Sequence, residues 1–304
     1  MSLPTVTAAE IFLRYEEIRP RLPSSQFPVS SRHVANLGDL MGEIDVFLLD
    51  AFGVLNVGER AIPGAVERLA SLRQAGKKIF VVTNSAAFTA EKALAKYHSL
   101  GFELTQDQVI SSRDAALSAL DDFPAVKSWG VAAMRGSGLE TIPAETRLLE
   151  EDQAVYDAVH GFLFLSAAEW TPKRQELLLC SLRQNPRPLL VGNPDLVAPR
   201  EYGLSREPGF FAHEIADQIA INPVFYGKPF AAVFARALGI HGIHGIPTHR
   251  IAMVGDTLHT DILGGAAAGL RTVLVTDHGL LKDENVPDLI RQSGIVPDFI
   301  AKTT

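Results

Sequence analysis

Asp50 directly follows the apolar run Val46–Leu49, and Gly53 soon after it permits a tight turn. Together with the preceding Ile44, these largely apolar residues predict a strand that is buried on both faces, as in a parallel sheet. A carboxylate at the carboxyl end of such a strand lies where open α/β sheets bind their ligands. An aspartate that caps the start of a helix would give the same local pattern, so this stretch alone leaves both interpretations open.

Other polar residues take comparable positions near the ends of later apolar runs: Thr83, Asn84, Lys228, Asp256 and Asp261. At one edge of a sheet, the aspartates would repel one another and raise one another's pKa. Magnesium would relieve this repulsion, because it prefers oxygen ligands. A lysine ammonium and a threonine hydroxyl suit phosphate oxygens. A carboxylate nucleophile, a metal ion and a lysine together predict phosphoryl transfer through an aspartyl-phosphate.

The segments that must position these residues alternate between strand and helix patterns. After the first strand, Pro63 suits the first turn of a helix, and apolar residues recur at helical spacing as far as Leu72. The following "KKIFVVT" is typical of a second buried strand, so the two strands of this unit should be parallel. The alternation continues over residues 90–120 and again over 224–275. It predicts an α/β fold with a doubly wound, mostly parallel, Rossmann-like core sheet.

The pattern changes between residues 113 and 219. "SWGVAAM", "AVHGFLFL" and "RPLLVGN" predict strands, "TPKRQELLLCSLRQ" predicts an amphipathic helix, and "PDLVAPREYGLSREPGF" predicts a loop. Because the segments on either side resume each other's pattern, we interpret the block as an inserted α/β domain. The expected organisation is a peripheral extension (1–42), a core domain (43–112 and 220–304) and an inserted domain (113–219).

Composition limits the class of protein. The chain has 304 residues, of which 47% are hydrophobic and 21% charged, as in ordinary globular proteins. Its net charge of -7, without a basic stripe, argues against nucleic-acid binding. The single cysteine, Cys180, excludes an internal disulfide and fits a reducing compartment. We see no signal peptide and no apolar run of about 18 residues, so we expect a cytoplasmic protein that does not enter membranes.

Four ordered motifs resemble those of the haloacid dehalogenase (HAD) superfamily: "DAFGVL", "VVTNS", "GKP" and "VGDTLHTDI". The segments "GVLNVGERAIPGA" and "VGNPD" resemble its class IIA members, the group similar to sugar phosphatases and nitrophenylphosphatases. The resemblance extends over about residues 44–280. One such motif alone would be weak, whereas four in the correct order are specific.

The resemblance implies a role for each matching position. Asp50 matches the nucleophile and a Mg²⁺ ligand, and the backbone carbonyl of Phe52 matches a second ligand. Lys228 matches the lysine that neutralises charge. Asp256 matches the second metal carboxylate, and Asp261 the carboxylate that supports the metal site or the lysine.

The resemblance also implies how the substrate is held. Thr83 and Asn84 match the pair that binds the phosphate of a small phosphorylated substrate. The inserted block corresponds to the C2-type α/β cap of the family, which closes over the substrate and through which members often form homodimers. Asn193 and Asp195, in "VGNPD", match positions where such caps face the site.

The chain departs from the family at Phe52, where the phosphatases carry a second aspartate that protonates the leaving oxygen and then activates water. General acid–base catalysis contributes about 10²–10⁴-fold, or roughly 3–5 kcal/mol of barrier. We therefore predict slow turnover of alkyl phosphates and better turnover of aryl or acyl phosphates. Two alternatives stay open: a 2-haloacid dehalogenase, because "DAFG" resembles a motif of those enzymes, and a catalytically weakened phosphate-binding protein. Phosphonatases rank last, since their cap belongs to another class.

The remaining conspicuous residues have simpler explanations. We expect His259 to be a solvated loop histidine and His213 to make a surface contact. The other positions are expected to serve a helix-exit loop (His241, His244), helix packing (Cys180) and the hydrophobic core (Trp129, Trp170).

Overall fold

The structure is a computed structural model and describes residues 6–200 and 203–304. Within these ranges the strands are β1 (Arg32–Val34), β2 (Val46–Leu49), β3 (Asn56–Val57), β4 (Arg60–Ala61), β5 (Lys78–Thr83), β6 (Val109–Ser111), β7 (Ser128–Ala132), β8 (Glu145–Leu148), β9 (Gly161–Phe164), β10 (Leu189–Val191), β11 (Val197–Arg200), β12 (Gly203–Arg206), β13 (Val224–Phe225), β14 (Ile251–Gly255), β15 (Arg271–Val275) and β16 (Phe299–Ala301).

The α-helices of the same ranges are α1 (Ala8–Glu17), α2 (Ala65–Gln74), α3 (Ala90–Ser99), α4 (Ser112–Ser118), α5 (Gln153–Ala158), α6 (Pro172–Gln184), α7 (Pro208–Gln218), α8 (Ala231–Leu238), α9 (Leu263–Ala267) and α10 (Val286–Ser293). A π-helix, Leu258–Ile262, leads directly into α9. Among the described helices, none has the length and apolar character needed to cross a membrane.

The larger sheet has seven parallel strands in the order β1-β16-β15-β14-β2-β5-β6. Side chains of β2 alternate between two cores: Phe47 and Leu49 face α2 and α3, whereas Val46 and Leu48 face α8. Because both faces are covered, every residue of this strand is buried, which explains its uninterrupted apolar run. The prediction of a doubly wound α/β core is confirmed.

A second, five-stranded sheet has the order β13-β10-β9-β7-β8 and is also parallel. Its β9 strand repeats the alternation seen in the larger sheet. Phe162 and Phe164 pack against α6 and α7, while Leu163 packs on the opposite face in a cluster that includes residues of α4. This sheet carries most of the inserted block.

The structure moves two of the expected domain limits. Strand β1 comes from the stretch predicted to be peripheral, yet it pairs with β16 at the edge of the larger sheet. The strand has only three residues, and Val34 is its single apolar one, so the sequence gives no periodicity that would indicate it. At the other limit, β13 lies beyond residue 219 but pairs with β10, so the smaller sheet ends in the segment assigned to the core.

The segment predicted to be a loop between Asn193 and α7 instead contains an antiparallel hairpin of β11 and β12. Val197 pairs with Arg206, and Pro199 pairs with Leu204. Proline is tolerated here because the hairpin is two-stranded and outside both large sheets, where a missing N–H breaks no ladder on its free edge. The proline and glycine content of this segment therefore predicted a loop where the chain forms a pair of strands.

Candidate active site

The carboxyl ends of three neighbouring strands bring the predicted site residues together. Asp256 follows β14, Asp50 follows β2 and Thr83 ends β5, and these strands are adjacent and parallel. Asp261 arrives from the π-helix, where the backbone N–H of Thr257 donates to its Oδ2 (3.1 Å). Carboxylate oxygens of Asp50, Asp256 and Asp261 all lie within 4.8 Å of one another.

Lys228 lies between two of these aspartates. Its Nζ atom is 2.6 Å from Asp50 Oδ1 and 2.8 Å from Asp261 Oδ1, and only 1% of the lysine side chain is exposed. Burial alone would lower the pKa of Lys228, but the carboxylates of Asp261 and Asp50 raise it. The lysine therefore stays charged inside the site.

The aspartates carry more negative charge than the lysine can offset. Burial, followed by the charge of Asp261, raises the pKa of Asp50 to about 6, although Lys228 opposes the shift. Burial and the neighbouring carboxylates raise the pKa of Asp256 to about 8, against the hydrogen bond that Leu280 donates. Raised pKa values of buried acids show that the site is short of positive charge.

The donor set fits a divalent cation such as Mg²⁺. It consists of carboxylate oxygens, which hard cations prefer. The backbone comes unusually close to Asp256 Oδ2: a Cβ atom built on Gly279 would lie 1.9 Å from it, and one on Gly53 would lie 2.5 Å from it. Both glycines have positive φ angles, +91° and +77°, so a side chain at either position would be strained as well as crowded. This cradle leaves the carboxylate of Asp256 enclosed by main chain.

Asn84 connects the site to both domains. Its Oδ1 accepts a hydrogen bond from the backbone N–H of Lys228 (2.7 Å), and its Nδ2 donates to the Lys228 carbonyl (2.9 Å). The same Nδ2 donates to Asp195 Oδ1 (2.8 Å). Next to it, Thr83 is buried, and its Oγ1 accepts from the backbone N–H of Ser85 (3.1 Å).

A cavity of about 580 Å³ lies over this edge, between the two sheets. Asp50, Thr83 and Asn84 line it from the larger sheet, and Asn193 and Asp195 line it from the inserted block. The structure thus brings every predicted site residue to one place, including the two taken from "VGNPD".

Phe52 also lines the cavity, and two cations contact its ring. The Nζ atom of Lys96, on α3, is 5.1 Å from the ring centroid, and the guanidinium carbon of Arg200, on β11, is 5.0 Å from it. Lys96 is paired with Glu59 (2.7 Å). Each domain therefore supplies one cation to the residue two places after Asp50.

Sequence reasoning missed the network that holds Arg200. Glu207 Oε1 lies 2.9 Å from the guanidinium of Arg200 and accepts a hydrogen bond from Ser205 Oγ (2.7 Å). Glu207 Oε2 accepts from Asn193 Nδ2 (3.2 Å). The signal that could have found this network is the charged sequence "PREYGLSRE", although its proline and glycine content predicts a loop.

Two histidine predictions are wrong. His259 is buried rather than solvated: its ring stacks on Tyr15 at 4.8 Å, and its Nε2 lies within hydrogen-bonding distance of Glu16 on α1. His213 is buried rather than in a surface contact, with its ring stacked on Phe225 at 4.8 Å. Residues of α1 cover His259 from a distant part of the chain, and Phe225 covers His213 from beyond the end of α7, so local spacing indicates neither contact.

The other simple explanations agree with the structure. His241 and His244 lie in the turn that follows α8. Trp129 and Trp170 belong to hydrophobic clusters, and Trp170 additionally lines the cavity. Cys180, on α6, is partly buried.

Two family models match the chain. One, described as haloacid dehalogenase-like hydrolase, matches residues 47–141, and another, described as HAD-hydrolase-like, matches residues 225–303. The Arabidopsis thaliana protein phosphoglycolate phosphatase 2 is 30% identical over 294 residues, which cover 88% of this chain and 94% of that protein. The acid sugar phosphatase of Staphylococcus aureus is 28% identical over 254 residues, which cover 81% and 93%.

A solved structure repeats the whole architecture. The chain resembles a HAD-superfamily protein from Cytophaga hutchinsonii, described as a possible sugar phosphatase, with a TM-score of 0.76 and 26% identity. The match covers 91% of this chain and 98% of that one. The likeness therefore extends over both sheets.

Proposed function

The chain belongs to the haloacid dehalogenase-like hydrolases, within class IIA, and from this membership we propose that it is a Mg²⁺-dependent phosphohydrolase of small phosphorylated metabolites. The observation that carries the proposal is the buried ion pair of Lys228 with Asp50, at 2.6 Å, beside the carboxylate of Asp256. A phosphate ester needs an ionised nucleophile and a nearby cation to offset its own charge, and this arrangement supplies both.

Each residue of the site has a role in the proposed reaction. Asp50 attacks the phosphorus and becomes an aspartyl-phosphate. Thr83 and Asn84 hold the phosphate oxygens, and Lys228 offsets their charge. Asp261 keeps the lysine in place, because its Oδ1 is 2.8 Å from Nζ.

Asp50, Asp256 and the carbonyl of Phe52 would hold the metal ion, with Asp261 supporting the site through Lys228. When bound, Mg²⁺ supplies charge neutralisation and polarisation of the phosphoryl oxygens. The fit rests on the buried oxygen donors and on the enclosed carboxylate of Asp256.

The cavity and the relatives support the proposed substrate class. A volume of about 580 Å³ suits a small metabolite. The related proteins are named for phosphoglycolate and for sugar phosphates, and both kinds of ester are candidates here. A reducing, cytoplasmic location is supported by the single cysteine, and a homodimer formed through the cap stays a prediction that a sedimentation measurement can test.

Phe52 favours one alternative, a protein that binds phosphate esters and turns them over very slowly. A phenyl ring neither donates nor accepts the proton that ester cleavage requires. A dehalogenase is a weaker alternative, because Asp256 and Asp261 keep the carboxylates of a metal site.

The test is a screen of sugar, aryl and acyl phosphates with and without Mg²⁺, using wild type, Asp50→Asn and Asp107→Asn. Asp107→Asn is the control, because it makes the same chemical change at an exposed position outside the site. We expect Mg²⁺-dependent turnover that only Asp50→Asn abolishes. Tight binding of esters without turnover would establish the binding protein, and metal-free release of halide from haloacids would establish the dehalogenase.

A further inference from the structure

Because Phe52 cannot donate a proton, another carboxyl group of the cavity would have to do so. Asp50 and Asp256 are already used by the nucleophile and the metal site. Glu59 is paired with Lys96, and its side chain is 72% exposed. The described carboxyl groups that line the interior of the cavity and are not used by the site are Asp195 and Glu207.

Glu207 is a poor donor because its oxygens already have partners. Arg200 lies 2.9 Å from Oε1, which also accepts from Ser205, and Asn193 donates to Oε2. Burial raises the pKa of the Glu207 carboxyl, although Arg200 and the hydrogen bond from Ser205 oppose the shift. Arg200, Ser205 and Asn193 nevertheless occupy both of its oxygens, so Glu207 orients Arg200 and leaves no carboxyl oxygen free for a substrate.

Asp195 has fewer partners than Glu207. It forms no ion pair within the described residues, and its side chain has one hydrogen bond, from Asn84 Nδ2 to Oδ1 (2.8 Å). Its Oδ2 atom has no hydrogen bond to a described protein group. Asn84 is also hydrogen-bonded to the N–H and the carbonyl of Lys228. Two hydrogen bonds through Asn84 therefore connect Asp195 to the backbone of the lysine whose Nζ contacts Asp50.

The loop that carries Asp195 is held firmly. The backbone N–H of Asp195 donates to Asn193 Oδ1 (2.9 Å), and the next N–H, of Leu196, donates to the hydroxyl of Tyr15 on α1 (3.2 Å). On its other side, a Cβ built on Gly209 would lie 2.0 Å from the carbonyl oxygen of Pro194. Fixed geometry of this kind is what a proton donor needs.

The surroundings of Asp195 favour the protonated form of its carboxyl group. Burial raises the pKa of its carboxyl well above the ordinary value, and the nearby charges of Asp50 and Asp261 act in the same direction. Lys228 and the hydrogen bond from Asn84 oppose the shift. The neutral, proton-donating form is therefore favoured.

We propose that Asp195 is a catalytic residue that takes over the acid–base role lost at Phe52. This inference rests on the proposed phosphatase function and assigns the proton transfers of that reaction. It places the proton donor on the inserted block, across the cavity from the nucleophile, instead of on the loop that follows the nucleophile.

The two half-reactions balance. In the first, a bond forms between Asp50 and phosphorus, the bond from phosphorus to the leaving oxygen breaks, and Asp195 gives its proton to that oxygen to release an alcohol. In the second, Asp195, now ionised, takes a proton from water as the water oxygen attacks phosphorus. The bond between Asp50 and phosphorus breaks, so that phosphate leaves and both aspartates return to their starting forms.

The first experiment compares Asp195→Asn with wild type in the presence of Mg²⁺. An amide at position 195 still offers Asn84 a carbonyl oxygen, so the hydrogen bond can persist. We expect turnover of glycerol phosphate, whose leaving group needs a proton, to fall about 10²–10⁴-fold. The initial burst of nitrophenolate from p-nitrophenyl phosphate should change little, because that leaving group departs without a proton.

A second variant separates catalysis from structure. Adding Phe52→Asp to Asp195→Asn should restore alkyl-phosphate turnover, whereas a structural loss at position 195 would not be repaired from position 52. Equal losses for alkyl esters and for the aryl burst, no loss at all, or no rescue would each overturn the role of Asp195. If wild type itself shows no Mg²⁺-dependent turnover, or if Asp50→Asn is as active as wild type, the phosphatase proposal fails and this inference fails with it.

Discussion

The guanidinium carbon of Arg200 lies 5.0 Å from the ring centroid of Phe52, so a cation of the inserted block covers the residue two places after the nucleophile. Lys96 approaches the same ring to 5.1 Å. Contacts of this kind contribute about 0.5–2 kcal/mol each. Phe52 therefore joins the two domains at the cavity, at the position where the resemblance to HAD phosphatases predicts an aspartate.

Replacing Phe52 by aspartate should raise the turnover of alkyl phosphates. The new carboxyl would occupy the position that the resemblance assigns to an acid, and general acid–base catalysis is worth about 10²–10⁴-fold. The gain in wild-type background should be smaller than the gain in Asp195→Asn, because one donor is already present. Steady-state kinetics with glycerol phosphate measures both.

The control for this prediction is Phe52→Asn, which removes the ring and its cation contacts without supplying an acid. It should lose stability and gain no activity. A rise in Phe52→Asn equal to that in Phe52→Asp would show that the gain comes from opening the cavity and not from proton transfer.

Magnesium should stabilise the folded protein, independently of any substrate. A ligand that binds only the folded state adds about 2.7 kcal/mol when its concentration is 100 times its Kd. We therefore expect thermal melting in Mg²⁺ to occur at a higher temperature than in EDTA. Asp256→Asn should lose this shift, because it removes a ligand enclosed by Gly53 and Gly279. Asp107→Asn should keep it, and a shift preserved in Asp256→Asn would contradict the metal site.

Lys228→Met should strongly destabilise the protein. The substitution removes a buried cation and leaves Asp50 and Asp261 without their partner, and breaking a buried ion pair typically costs about 3–5 kcal/mol. Adding Asp261→Asn should return part of this loss, since one unpaired charge is then removed. Denaturant midpoints of the two single variants and the double variant measure the coupling.

The control for the lysine is Lys127→Met, an exposed position where the same change should alter stability by less than about 0.5 kcal/mol. Additive losses in Lys228→Met and Asp261→Asn would mean that the two side chains do not interact. Measurements without Mg²⁺ keep the metal from offsetting the unpaired carboxylates.

His213 should make the protein less stable in mild acid. Burial, helped by Arg21 and Arg14, lowers the pKa of His213 to about 3, and neither ring nitrogen has a hydrogen-bond partner among the described residues. The unfolded chain takes up this proton near pH 6.5, whereas the folded chain does so near pH 3. Between these values a falling pH favours unfolding, by about 1.4 kcal/mol per pH unit.

His213→Leu should abolish this part of the pH dependence. The difference in unfolding free energy between pH 6.5 and pH 5 should be about 1.6 kcal/mol smaller in the variant than in wild type. The exposed His249→Leu serves as the control and should keep the wild-type slope. An unchanged slope in His213→Leu would show that the buried ring is already protonated in the folded state.

The sequence alone determined the core and the site at its edge. Runs such as Val46–Leu49 require cover on both faces, which only a parallel sheet between helices provides. Once the strands are parallel and adjacent, the residues that follow them must meet, so Asp50, Thr83 and Asp256 could be placed together without coordinates. Local periodicity and strand direction are short-range properties, and a sequence records them directly.

The tertiary structure alone decided the contacts between separate elements. The pairing of Asn84 with Asp195, the position of Arg200 over Phe52 and the burial of His259 under α1 all join residues more than a hundred positions apart. No spacing rule relates such residues, because their distance depends on how the inserted block and the first helix pack on the core. The chemistry at the sheet edge is thus readable from the chain, while the environment that tunes it follows from packing.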